Sequence, residues 1–158
     1  MFNTILVVCV GNICRSPMAE ALLQARAPEG VHVYSAGIGA LVGESADPLA
    51  QVLMQKRAID ISAHRARQLT REMVCQAKLI LVMEEKHQQY IHSLSPAVRG
   101  KVHCLGKWNN QVNAGHGREY PLGDQQVPDP YKKSPEYFEH VLEMIEKGVD
   151  GWATKLWK

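Results

Sequence analysis

The sequence predicts an α/β fold: a doubly wound sheet of four parallel strands with helices on both faces. Three observations predict it. Short, β-branched apolar runs alternate along the chain with segments whose apolar residues recur at helical spacing. The strongest runs show no inward–outward alternation, as strands buried on both faces require. The chain has 158 residues, enough for one sizeable core and few for two, so residues 1–158 are expected to form a single domain.

The elements follow in order. "TILVVC", Thr4–Cys9, is the first buried strand. Ser16 and Pro17 read as the cap and first residue of a helix. Met18, Ala21, Leu22 and Ala25 then carry that helix to about Ala27 on one apolar face. "VHVYSAG" is the second strand. Asp47-Pro48 repeats the cap signal ahead of a helix bearing Leu49, Val52 and Leu53. "LILVM", 79–83, is the third strand, followed by a polar helix over 84–92. "KVHCL" is a short fourth strand. Ser134-Pro135 opens the last helix, with Phe138, Val141, Leu142 and Ile145 on one face, running through Trp152 to Leu156. Before it lies "GKWNNQVNAGHGREYPLGDQQVPDPYKK", rich in Gly, Asn, Pro and Gln. Loops of that length in a compact domain are usually functional or mobile.

Composition narrows the function classes. Hydrophobic residues make up 46% and charged residues 22%, the balance of a soluble globular protein. A net charge of +2 implies no strong attraction to nucleic acid or membrane. No apolar run approaches the roughly 20 residues that span a bilayer. "FNTILVVCV" lacks the basic and small-residue signals of a leader, so none is expected. Cys9, Cys14, Cys75 and Cys104 lack the paired spacing of a zinc site, and a chain of this size needs no disulfide staples. A reducing cytoplasm is the expected setting.

The chemistry concentrates in "CVGNICRSP", which starts at Cys9. A short loop between a strand and a helix N-terminus points several backbone N–H groups at one spot, and the helix dipole adds to them. The spot lies at the carboxyl edge of the sheet, where doubly wound folds bind ligands. Gly11 lets the backbone turn tightly, and the planar fork of Arg15 can hold two oxygens of a phosphate. Val10, Gly11, Asn12, Ile13, Cys14, Arg15 and Ser16 are therefore the expected phosphate-binding set. Positive potential at the mouth favours a Cys9 thiolate, which is a nucleophile for phosphoryl transfer. Asn12 and Ser16 are placed to hydrogen-bond the loop or the thiolate. Alone, such a Cys is a small hydrophobe and such an Arg a surface charge. Cys-x5-Arg-Ser between a buried strand and a Pro-started helix is far more specific. Asp124, Asp129 and Glu119 could each supply an acid, and residue chemistry does not choose among them, since Asp before Pro also forms turns.

"CVGNICRSPMAEALL" resembles the signature loop of low-molecular-weight protein tyrosine phosphatases. "SAGIGALVGESADP", "AHRARQLT" and "VPDPYKKSPEYF" are similar to later segments of that family in the same order. The resemblance covers most of the chain and implies a four-stranded parallel sheet, no metal or other cofactor, and a phosphocysteine intermediate. On this resemblance Cys9 matches the nucleophile and Arg15 the phosphate-binding arginine. Asn12 and Ser16 match residues that shape the loop, and Asp129 matches the general acid. Tyr131 matches a wall of the aromatic pocket, and Ile13 a side chain beside the entering ring. Leu41 stands where animal members carry tryptophan, which favours the bacterial type. His64 resembles a loop-supporting histidine; on residue chemistry alone it reads equally as a structural one. The implied reaction needs Asp129 protonated in its first step, so activity should peak on the acid side of neutral. The implied partner is a phosphotyrosine protein, a bacterial tyrosine autokinase of polysaccharide export, and the protein is expected to be a monomer or weak oligomer.

Other chemistries share this loop or its fold. Arsenate reductases need a further cysteine pair, whereas Cys75 and Cys104 are far apart in sequence. Arginine phosphatases carry threonine where Ile13 stands. The phosphocysteine carriers of sugar transport lack the arginine that closes the loop, so Arg15 argues against them. A nucleotide-binding Gly-x4-Gly-Lys-Ser/Thr loop is absent. Residues 107–127 look longer than the usual family form, which points to altered pocket access or partner recognition. Finally, an accessible thiolate is readily oxidised, and Cys14 is close enough in sequence to trap oxidised Cys9 as a disulfide; the alternative is a small residue packed at a helix entrance.

Overall fold

The computed structural model describes residues 2–109 and 126–157. Four strands, β1 (Thr4–Cys9), β2 (His32–Gly37), β3 (Leu79–Val82) and β4 (Val102–Cys104), form one sheet. Their order is β2-β1-β3-β4 and every pairing is parallel. Among the described residues the α-helices are α1 (Arg15–Arg26), α2 (Pro48–Gln55), α3 (Arg71–Gln76), α4 (Glu85–Leu94) and α5 (Pro135–Leu156).

Ile5, Leu6, Val7 and Val8 of β1 are completely buried. Because strand side chains alternate between faces, Ile5 and Val7 pack with Met18 and Leu23 of α1 and Phe138 and Ile145 of α5. Leu6 and Val8 pack with Val74 of α3 and Ile91 of α4. Both faces are thus covered, which is why β1 reads as an unbroken apolar run. The chain leaves β1 toward β2 on one side and returns to β3 on the other. The carboxyl end of β1 is therefore the switch point where the flanking connections part and leave a crevice.

Two predicted caps are formed. The Asp47 carboxylate accepts the Leu49 N–H at 2.9 Å, and the Ser134 hydroxyl accepts the Tyr137 N–H at 3.2 Å. The third is not: α1 begins at Arg15, Cys14 holds the cap position, and no side chain caps the helix. A side-chain cap there would occupy the N–H groups that an anion site needs. Helix α3 and two 3₁₀ segments, Pro96–Lys101 and Leu105–Trp108, were not predicted. α3 has six residues and only Val74 buried, too little to show a period. The fourth strand stops at Cys104 because Leu105 turns to pack on α5, where a Cβ on Gly148 would lie 2.9 Å from the Leu105 carbonyl oxygen. The third strand likewise ends one residue early, at Val82. Asp124, Glu119 and most of 107–127 lie outside the described residues. Among the described residues no helix is long and apolar enough to cross a membrane.

Candidate active site

Peptide planarity builds the cradle after β1. The carbonyls of Cys9, Val10, Gly11 and Ile13 accept N–H groups of Ile38, Gly39, Leu41 and Asp47 at 2.8–3.0 Å. The Asn12 carbonyl is bonded to His64 Nε2 at 2.6 Å. In a trans peptide the C=O of one residue and the N–H of the next point in opposite directions. Carbonyls drawn outward therefore turn the N–H groups of Val10, Gly11, Asn12, Ile13 and Cys14 inward, toward the positive end of α1. Gly37 of β2 makes this possible, since a Cβ on it would sit 2.3 Å from the Val10 carbonyl oxygen.

Asn12 is the loop's internal brace. It is fully buried and left-handed, with φ 58°, a conformation Asn tolerates better than most residues. The Arg67 backbone N–H donates to its Oδ1 at 3.0 Å. That fixes the amide orientation, so Nδ2 donates to Ser16 Oγ at 2.7 Å and to Ser35 Oγ at 3.0 Å. Ser16 Oγ lies 2.9 Å from Cys9 Sγ. Having accepted from Asn12, the Ser16 hydroxyl has its own proton to give to the sulfur, an arrangement suited to negative charge on Cys9. His64 must donate from Nε2, because its partner is a carbonyl. Burial holds its imidazole below the ordinary value against the opposing effect of that bond.

Arg15 is 2% exposed. One of its terminal nitrogens donates to Glu84 Oε1 at 2.6 Å and to the Val127 carbonyl at 2.9 Å. The other lies 3.8 Å from Asp129 Oδ2. Burial works against charge on Glu84, but Lys86, 3.1 Å away, and Arg15 outweigh it and hold the carboxyl below its usual range. The Val127 N–H donates to the Met83 carbonyl at 2.8 Å, so the segment leading to Asp129 is pinned to the end of β3.

These groups enclose a pocket of about 180 Å³. Cys9, Cys14 and Arg15 line it together with Val10, Gly11 and Ile13, and Leu41, Asp129 and Tyr131 complete it. Asp129 and Tyr131 are half-exposed, and the Tyr131 N–H donates to Asp129 Oδ1 at 3.0 Å. Of the sequence-predicted residues, Asn12 and Ser16 do not line the pocket; they support it from behind. Gly39 lines it and was not anticipated, nor were Glu84, Ser35, Arg67 and Val127 as partners of the loop. Glu84 alone left a signal, a carboxylate directly after the third strand at the ligand-binding edge. Among the described residues no group of His, Cys, Asp or Glu is placed to hold a metal ion.

The family model for low molecular weight phosphotyrosine protein phosphatases matches residues 4–158. The chain belongs to this family. Among curated members, the phosphatase is 49% identical over 156 residues to the probable low molecular weight protein-tyrosine-phosphatase EpsP of Ralstonia nicotianae, covering 99% of this chain and 97% of the relative. Among solved structures it is similar to the Erwinia amylovora tyrosine phosphatase AmsI, with TM-score 0.88 and 42% identity, covering 100% of this chain and 95% of the other. Vibrio vulnificus Wzb in complex with benzylphosphonate gives TM-score 0.86 and 39% identity, covering 99% of this chain and 100% of the other. The fold and the bacterial type of phosphatase expected from the sequence agree with these relatives.

Proposed function

We propose that this phosphatase hydrolyses phosphotyrosine in two displacements at Cys9. The Cys9 thiolate attacks phosphorus in line, the phosphorus–phenol oxygen bond breaks, and Asp129 gives its proton to the departing phenolate. The five inward N–H groups and Arg15 hold the equatorial oxygens as charge spreads over them. Water then attacks the phosphocysteine, Asp129 takes its proton, and phosphate leaves with the thiolate restored. The carrying observation is that Cys9, Arg15 and Asp129 line one pocket, with the Ser16 hydroxyl 2.9 Å from Cys9 Sγ. Asp129 is favoured as the acid because it lines the same pocket as Cys9.

Leu41, Ile13 and Tyr131 offer apolar walls to an aromatic ring. Ile13 presents no polar atom to a guanidino group, which favours a phenol over phosphoarginine. The benzylphosphonate held by Vibrio Wzb is a ligand of the same aryl class. A tyrosine autokinase of polysaccharide export, met in the cytoplasm, is our reading of the partner, supported by similarity to EpsP and Wzb. The test compares phosphate release from an aryl phosphate, a phosphotyrosine peptide, a phosphoserine peptide and phosphoarginine, with chelator present. The first two should turn over and the others should not. Cys9→Ser should bind phosphate without turnover; substantial residual hydrolysis by that variant would sink the phosphocysteine mechanism.

A further inference from the structure

His87 is a buried, titratable side chain that the reaction above does not use. It lies on the inward face of α4 with Ile91, one turn on, and is 2% exposed. Its Nδ1 accepts the Glu84 backbone N–H at 3.2 Å, the N-terminal reciprocal bond that Gln or Glu often makes at the third helical position. Glu84 is the residue whose carboxylate holds Arg15 at 2.6 Å. A second proton on the ring would have to go to Nδ1, where it would face the Glu84 N–H donor to donor. Protonation and the bond to Glu84 are therefore mutually exclusive.

We propose that His87 is a positioning residue for Arg15: its neutral ring fixes the Glu84 backbone, and Glu84 in turn fixes the guanidinium that receives phosphate. The groups around the ring act on its charge in both directions. Burial and then the Arg15 charge push the imidazole down, as does Lys86, while Glu84 and Asp129 push it up; the balance lies at about 4. The ring therefore stays neutral through the working range and releases Glu84 only in acid. Its Nε2 is buried with no hydrogen-bond partner among the described residues, so Nδ1 carries its connection to the site.

The inference rests on the phosphatase reading, and the experiment separates the two. Binding of inorganic phosphate is measured by calorimetry for wild type, His87→Leu and His87→Gln, at about pH 6 and downward to about pH 4, alongside turnover of an aryl phosphate. His87→Leu should bind phosphate about two- to tenfold more weakly at pH 6, the span of one hydrogen bond. His87→Gln should recover most of that affinity, since its amide oxygen can accept the same N–H and does not titrate. Toward pH 4 the wild type should lose phosphate affinity more steeply than His87→Gln; Glu84 is common to both and cancels. Wild-type affinity in folded His87→Leu, a Gln variant no better than Leu, or equal acid limbs would overturn the proposal. If His87→Leu does not fold, the acid limbs of wild type and His87→Gln decide. A wild type that binds phosphate but releases none from the aryl ester would refute the phosphatase reading and leave the positioning role, read from binding, intact.

Discussion

Gly37→Ala tests whether close approach of β2 shapes the cradle. The added Cβ would stand 2.3 Å from the Val10 carbonyl oxygen and 3.1 Å from the β-carbons of Asn12 and Ala40. Ordinary contact begins near 3.4 Å, so relief needs a shift of about 1 Å. The strand cannot supply it easily. Gly37 is bonded through its N–H to the Arg67 carbonyl at 2.9 Å and through its carbonyl to the Leu69 N–H at 2.8 Å. The loop must give instead. Moving the Val10 carbonyl weakens its 3.0 Å bond from Gly39 and rotates the peptide that carries the Gly11 N–H, one of the inward donors. A misplacement of about 1 Å at a reacting centre costs roughly 10²-fold, similar to loss of one oxyanion donor. Overpacking costs about 1–3 kcal/mol of stability, reduced by about 0.4–1 kcal/mol from the stiffer unfolded chain. The expected result is kcat/KM for an aryl phosphate down about 10²-fold, a matching loss of phosphate inhibition, and Tm lower by about 2–8 °C. Gly100→Ala, with nothing within 4 Å of the new Cβ, is the control. A Gly37→Ala enzyme within about threefold of wild type in kcat/KM would show that the loop does not depend on this contact.

Three further outcomes are expected. Asp129→Ala should slow poor phenol leaving groups by about 10²–10⁴-fold and activated ones much less; equal losses would make Asp129 structural. Peroxide should inactivate the wild type through a Cys9–Cys14 disulfide that thiol reductant reopens, whereas Cys14→Ser should recover poorly. Burial, then Asp47 and Cys9, push the Cys14 thiol up, so disulfide closure should speed up as pH rises; full recovery of Cys14→Ser would reduce Cys14 to packing. Stability should fall with acid. The folded chain keeps His87 neutral down to about 4, whereas an unfolded His takes its proton near about 6.5. The unfolded state therefore binds more protons as pH drops between those values, and His87 alone removes up to roughly 1.4 kcal/mol per pH unit. Calorimetric Tm between pH 7 and 5 should slope less in His87→Gln than in wild type; equal slopes would mean the ring is not held neutral.

Much of this protein was legible in one dimension. Strands buried on both faces must be apolar at every position, so β1 and β3 announce themselves, and helices entered through Asp47-Pro48 and Ser134-Pro135 carry their own start signals. A cradle formed by consecutive residues is equally local: Cys9, Arg15 and the loop between them are a single stretch. Asp129 and Tyr131 were proposed through family likeness alone, since residue chemistry does not rank Asp129 above the other carboxylates of its loop; both line the pocket with Cys9. A Ser16 bond to the loop or the thiolate was expected from the sequence; only the folded chain showed that Ser16 does not cap α1, that Asn12 is bridged to Ser35 and Arg67, and that Arg15 rests on Glu84 and the Val127 carbonyl. The physical reason is range. Periodicity, caps and a contiguous anion loop arise from bonds and torsions within a few residues. The partners that fix their geometry come from 23, 55, 69 and 112 residues away and meet only when β2, the stretch before α3, the end of β3 and the segment before α5 converge on the carboxyl end of β1.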